Sequence, residues 1–236
     1  MKKLSLFTLA LAVSMFVFAQ NNPPTGSQSG SQGPLRTPME VKTRFGIRGG
    51  VNLATLELDD DYNATNYNTN LKTSFHVGAF VNVPLTEMFR FQPEVSYVGQ
   101  GSKVNGTLVS NTANSSNYEL DLHYLAVPLM FQLQTTGGFF VELGPQAAFL
   151  LSGKEDPASG GSKTDLKSKK LIKKTDFGAA GGIGYLSRIG LGANARYVHG
   201  FSNVFDSEGA PSNQNKRNFH NRGIQIGLVY HFGANK

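Results

Sequence analysis

Cysteine is absent from the 236 residues. No disulfide can staple the fold, no lipidated cysteine can anchor the chain, and zinc or iron–sulfur chemistry has no soft ligand. Paired histidines are also missing: His76, His123, His199, His220 and His231 are scattered, with no His-Glu-x-x-His spacing. There is no Gly-x-Ser-x-Gly elbow to present a nucleophile and no Gly-x-x-x-x-Gly-Lys loop to cradle a phosphate. Gly178, Gly181, Gly182 and Gly184 imitate a dinucleotide loop, but Ser187 stands where its third glycine belongs and the context is a hairpin. No nucleophile–base pair is legible. These absences predict a protein with no catalytic residue, no metal and no cofactor. Asp59-Asp60-Asp61 lacks the spacing of a calcium loop and reads as a solvated tip.

Long apolar runs are nearly absent too. The one at the start, Leu4 to Phe18, follows Met1-Lys2-Lys3 and ends at Val17-Phe18-Ala19. It is short for a membrane span and no stop-transfer pattern follows. It reads as a secretory signal peptide, residues 1–19, cleaved after Ala19. Residues 20–43 are rich in Gly, Ser, Pro and Gln and cannot repay their ordering entropy, so a flexible leader is expected there. Residues 44–236 suit one domain. Charge is mildly basic: 22 Lys and Arg, two of them in the signal peptide, against 16 Asp and Glu. No basic stripe with interleaved aromatics occurs, which argues against nucleic acid as a partner.

What the chain does have is a period of two. In Phe45-Gly-Ile-Arg-Gly-Gly-Val-Asn-Leu53, Phe45, Ile47, Val51 and Leu53 oppose Gly46, Arg48, Gly50 and Asn52. That is a β-strand with unlike faces. The pattern predicts eight strands, near residues 44–55, 73–83, 89–98, 118–133, 139–151, 174–186, 189–200 and 223–232. In the fourth, Leu120, Leu122 and Tyr124 break phase with Leu125, Val127 and Leu129, and a β-bulge near His123 would account for it. Connections alternate. Residues 84–88, 134–138 and 187–188 are short, whereas 56–72, 99–117, 152–173 and 201–222 are long and polar. Short periplasmic turns and long extracellular loops are the signature of an eight-stranded antiparallel up-and-down transmembrane β-barrel.

The polar face decides orientation. Arg48, Asn52, Arg90, Glu94, Glu142, Gln146, Asp176, Asn194 and Arg196 sit mid-strand beside many glycines. Glycine weakens a solvated strand but suits a narrow interior, where large side chains must share space with small ones. The aromatics Phe45, Phe89, Tyr97, Phe139, Phe149, Tyr185, Tyr197, Tyr230 and Phe232 fall near strand ends on the apolar face, as interfacial girdles do. The expectation is a barrel in the outer membrane of a Gram-negative bacterium, with a polar lumen locked by ion pairs. Eight strands leave room only for side chains, so no steady pore is expected. The alternatives are a small porin or transporter, and a secreted soluble barrel holding an apolar ligand. Lys163, Lys167, Lys169, Lys170, Lys173 and Lys174 form a basic cluster in the third long loop, suited to the phosphates of lipopolysaccharide.

Several segments carry a resemblance. They are Gly46-Ile-Arg-Gly-Gly-Val-Asn-Leu53, Phe91-Gln-Pro-Glu-Val-Ser-Tyr97, His123-Tyr-Leu-Ala-Val-Pro-Leu129, Phe140-Val-Glu-Leu-Gly-Pro-Gln146, Asp176-Phe-Gly with Gly182-Ile-Gly184, and Ala195-Arg-Tyr-Val-His-Gly200. In this order they are similar to the PorT-like outer-membrane β-barrel domain common in Bacteroidota. Ala126 stands where that family often has Glu. The resemblance implies an eight-stranded outer-membrane barrel and implies neither an enzyme nor a settled ligand; the expected role is that of a non-enzymatic structural or interaction protein working through its extracellular loops, with a link to protein secretion like that of PorT-like proteins as one special case. The expected partners are outer-membrane lipid and lipopolysaccharide, the barrel assembly machinery during insertion, and envelope or secretion proteins.

Overall fold

The computed structural model describes residues 42–58, 68–105, 117–157, 164–165, 172–204 and 219–233. The signal peptide, all of the leader but its last two residues, and Asp59 to Asp61 lie outside the described residues. Ten strands form: β1 (Arg44–Leu58), β2 (Asn68–Asn70), β3 (Lys72–Pro84), β4 (Phe89–Asn105), β5 (Asn117–Gln134), β6 (Phe139–Pro157), β7 (Thr164–Asp165), β8 (Thr175–Leu186), β9 (Leu191–Gly200) and β10 (Phe219–His231). The short β2 and β7 add to the flanks of β4 and β6. The eight long strands pair antiparallel around a ring, β1-β3-β4-β5-β6-β8-β9-β10, and β10 returns to β1 with Gly46 opposite His231 and Leu53 opposite Ile224. No long strand keeps a free edge, which a bilayer demands.

The short connections fold as the composition suggests. Thr135 to Gly138 and Ser187 to Gly190 each close a tight turn, with Gly138 N–H donating to the Thr135 carbonyl (3.1 Å) and Gly190 N–H to that of Ser187 (3.0 Å). Both glycines hold positive φ, 93° and 86°, a conformation other residues resist.

The two faces separate cleanly. Phe45, Ile47 and Val51 of β1 point outward, as do Val141 and Leu143 of β6 and Ile226 and Leu228 of β10. Aromatics rim this apolar wall. Phe45, Phe89, Phe139, Tyr185, Tyr230 and Phe232 lie toward the short turns and chain ends, and Phe149 and Tyr197 toward the loop end. Phe139 is 65% exposed, which in water would be a severe loss and in lipid is none. The apolar side chains of this wall therefore do not meet in the middle, as a soluble barrel with an apolar interior would require.

Two expectations are corrected. The strands overrun the long loops: β1 reaches Leu58, β4 reaches Asn105, β5 begins at Asn117, β6 reaches Pro157 and β10 begins at Phe219. A span needs about 9–11 residues, whereas β4, β5 and β6 have 17, 18 and 19. Their surplus stands beyond the membrane on the loop side, where both faces can be polar and the alternation that marks a strand fades. Second, β5 does not slip phase. Leu120, Leu122, Tyr124, Ala126 and Met130 all face inward. The irregularity opposite His123 and Tyr124 lies in β6, where Ser152 pairs with His123, Leu150 with Tyr124, and Leu151 is the extra residue.

Leu120 and its neighbours are inward because the lumen is not polar throughout. Toward the loops, Leu56, Val98, Leu120, Leu122, Tyr124, Leu150, Ile172, Val204 and Phe219 fill the mouth as one buried apolar cluster. Toward the turns, Phe140, Leu186 and Val229 form another. The charged layer lies between two greasy stoppers.

Candidate functional site: a charged lock across the lumen

Arg48 on β1, Glu94 on β4, Glu142 on β6 and Arg196 on β9 all occupy inward positions of their strands. The curl of the sheet brings them together. Arg196 grips Glu94 with two bonds, Nη1 to Oε2 and Nη2 to Oε1, both 2.8 Å. Its Nε donates to Glu142 Oε1 at 2.8 Å. Arg48 Nη1 reaches Glu94 Oε2 at 3.1 Å. Two guanidiniums and two carboxylates cancel, and none is more than 4% exposed. Charges so far from water persist only when paired and hydrogen-bonded.

Amides extend the pairs toward the turns. Gln92 Nε2 donates to Glu94 (2.8 Å) and Gln132 Nε2 to Glu142 (2.9 Å). Asn82 Nδ2 donates to both glutamines, at 2.8 and 2.9 Å, and its Oδ1 accepts from Arg90 Nη1 at 2.9 Å. The network thus joins β1, β3, β4, β5, β6 and β9 and crosses the full width of the lumen. Space for it comes from glycine. A Cβ on Gly182 would sit 3.0 Å from the Arg196 Cα on the neighbouring strand. Gly182→Val should displace Arg196 and destabilise the barrel by about 1–3 kcal/mol. Its urea midpoint in detergent, set against that of the wild type, checks this; an unchanged midpoint refutes it.

Of the inward polar residues legible in the sequence, Arg48, Arg90, Glu94, Glu142 and Arg196 belong to this network. The others do not. Asn52 Nδ2 donates to the Gly99 carbonyl at 2.5 Å, tying β1 to the outer part of β4. Asp176 lies at the loop end and accepts from Asn221 Nδ2 at 2.7 Å. Gln146 and Asn194 are buried but form no link in the network. Asn82, Gln92 and Gln132 were missed as site residues, although each sits between outward apolar neighbours in the sequence. Lys72 was missed as well. It is buried and pairs with Asp121 and, at 3.3 Å, with Glu119, fastening β3 to β5 near the loop end. Of the basic cluster, Lys174 is exposed and Lys173 half-buried, just before β8; Lys163, Lys167, Lys169 and Lys170 lie outside the described residues. No group of three His, Asp or Glu able to hold a metal occurs among the described residues.

The sequence profile of the outer membrane protein beta-barrel domain family matches residues 18–206, most of the chain and every long strand except β10. No curated protein matches. Several solved structures are similar. Neisserial surface protein A shares 12% identity, with 80% of this chain and 97% of that one covered and a TM-score of 0.47. OprG from Pseudomonas aeruginosa shares 17%, with 80% and 95% covered and a TM-score of 0.45. The Escherichia coli outer membrane protein W shares 16%, with 82% and 100% covered and a TM-score of 0.41.

Proposed function

The chain belongs to the outer membrane protein β-barrel domain family and resides in the outer membrane of a Gram-negative bacterium, and from that premise we propose that it is a non-enzymatic interaction protein whose lumen passes no solute. The observation that carries this reading is the lumen itself. Arg196, Glu94 and Glu142 bar its centre, and buried apolar side chains fill it on both sides. A path would need these groups to part, leaving charges unpaired in a dry interior at a cost of several kcal/mol.

The working surface is then the exterior, where β4, β5 and β6 project past the membrane. The PorT-like motifs favour a place beside secretion or other envelope proteins. Lys173 and Lys174, at the outer rim, continue a lysine-rich stretch suited to lipopolysaccharide phosphates. Recording in a planar lipid bilayer tests the closed lumen. The wild-type protein should insert without long-lived conductance steps, and stable steps would establish the small-porin reading instead.

A further inference from the structure

The lipid-facing wall is not evenly thick. On β9 its turn-side half shows only the methyl groups of Ala193 and Ala195, both exposed. Larger side chains stand beside them: Ile183 of β8 opposite Ala195, Tyr185 of β8 opposite Ala193, and Ile226 of β10 on the far side of Ala195. The result is an open groove of about 610 Å³ with an almost wholly apolar lining, which extends over Val141 of β6. Gly184 gives the groove no side chain. The space behind it is taken, since a Cβ there would meet the Phe140 ring. Phe140 belongs to the lower stopper and backs the groove from the lumen side.

Height and charge identify what fits. Ala195 and Ile226 stand near mid-bilayer, whereas Tyr185 and Ala193 lie in the row next to the short turns. The groove therefore runs through the periplasmic half of the membrane, the depth of one leaflet. Its central strands β8 and β9 are joined by Ser187 to Gly190, and this turn carries Arg188, exposed and without an ion pair among the described residues. The other short turns differ: residues 85–88 include Glu87, and residues 135–138 carry no charge. The cationic turn is thus the one at the foot of the groove. Hydrocarbon around the groove demands an apolar occupant, which gains close contacts with the exposed floor. The guanidinium below adds a partner for phosphate.

We propose that the β8–β9 groove is a binding site for one anionic glycerophospholipid of the inner leaflet. An acyl chain lies over Ala193 and Ala195, banked by Ile183, Tyr185 and Ile226, and the phosphate meets Arg188. A net negative headgroup is preferred because no acid in this turn balances the guanidinium. The site lies on the outer wall and holds whether or not the lumen conducts.

The test titrates phosphatidylglycerol, and in parallel phosphatidylcholine, into the full chain held in detergent micelles, with isoleucine methyl groups read by NMR. Ile183 reports on the groove, and Ile47, outward on β1, is the control. Phosphatidylglycerol should shift the Ile183 methyl saturably, at one lipid per barrel, and leave Ile47 without a saturating response. Arg188→Gln should weaken this binding about tenfold. Ala193→Leu with Ala195→Leu fills the groove and should abolish it. Both leucines face lipid, so the fold should survive, and the mobility of the folded form on gels checks that. Should the double variant fail to fold, Arg188→Gln and the comparison of the two lipids still decide. A shift at Ile183 that does not saturate, or that Ile47 shares, means ordinary surrounding lipid and overturns the proposal. So does equal affinity for phosphatidylcholine, undiminished binding by Arg188→Gln, or a shift that follows protein rather than lipid concentration, as a second copy seated in the groove would give.

Discussion

Arg196→Ala should lower the unfolding free energy by about 3–5 kcal/mol, because it strands Glu94 and Glu142 in a dry interior. The bonds differ in weight. Glu94 keeps only Arg48, at 3.1 Å, and the Gln92 amide, whereas Glu142 keeps only the Gln132 amide. Arg48→Ala should cost less, since Arg196 still grips both oxygens of Glu94. The chain has no tryptophan, so unfolding is best followed by circular dichroism or by the mobility of folded and unfolded forms on gels. Replacing Arg48, Arg196, Glu94 and Glu142 together by apolar residues of similar volume should recover most of the loss, because no charge is then left alone. A loss below about 1 kcal/mol for Arg196→Ala would mean that water reaches the lock.

Ile226→Lys should cost about 2–4 kcal/mol, the price of a lysine on the lipid face near mid-bilayer. Ile226 faces outward within β10, opposite Val51 on β1 and Ala195 on β9. Its loss should exceed that of the same change at Phe232, beside the rim, where a long side chain reaches headgroups. Equal losses at the two positions would contradict a wall immersed in hydrocarbon. Urea titration of both variants, refolded into vesicles of one lipid, gives the comparison.

How much of this was readable from the chain depends on what each residue faces. Phe89, Phe91, Val95 and Tyr97 against Arg90, Gln92, Glu94 and Ser96 announce a strand between lipid and a polar interior, and β4 behaves so. Leu120, Leu122 and Tyr124 were harder. Apolar residues on the inward face imitate a phase slip, because alternation reports polarity and part of the upper lumen is a buried apolar cluster. Strand ends beyond the membrane, such as Gly99 to Asn105, have loop-like composition and read as loop in the sequence. Pairing inside the lumen was out of reach. Whether Arg196 meets Glu94, Glu142 or Asp176 depends on the stagger of the closed sheet, which no local pattern records. Asn82 was hidden for a related reason: its importance lies in joining two glutamines on two other strands.

Glu94 and Arg196 are separated by 102 positions along the polypeptide. Arg48 of β1 faces Glu94 from the start, but Glu142 on β6 meets its guanidinium only when β9 arrives. A half-curled sheet would carry naked ions against hydrocarbon, and the bilayer would reject it. The lock that blocks the finished lumen is thus complete only when β9 is in place, one strand before β10 seals the seam with β1.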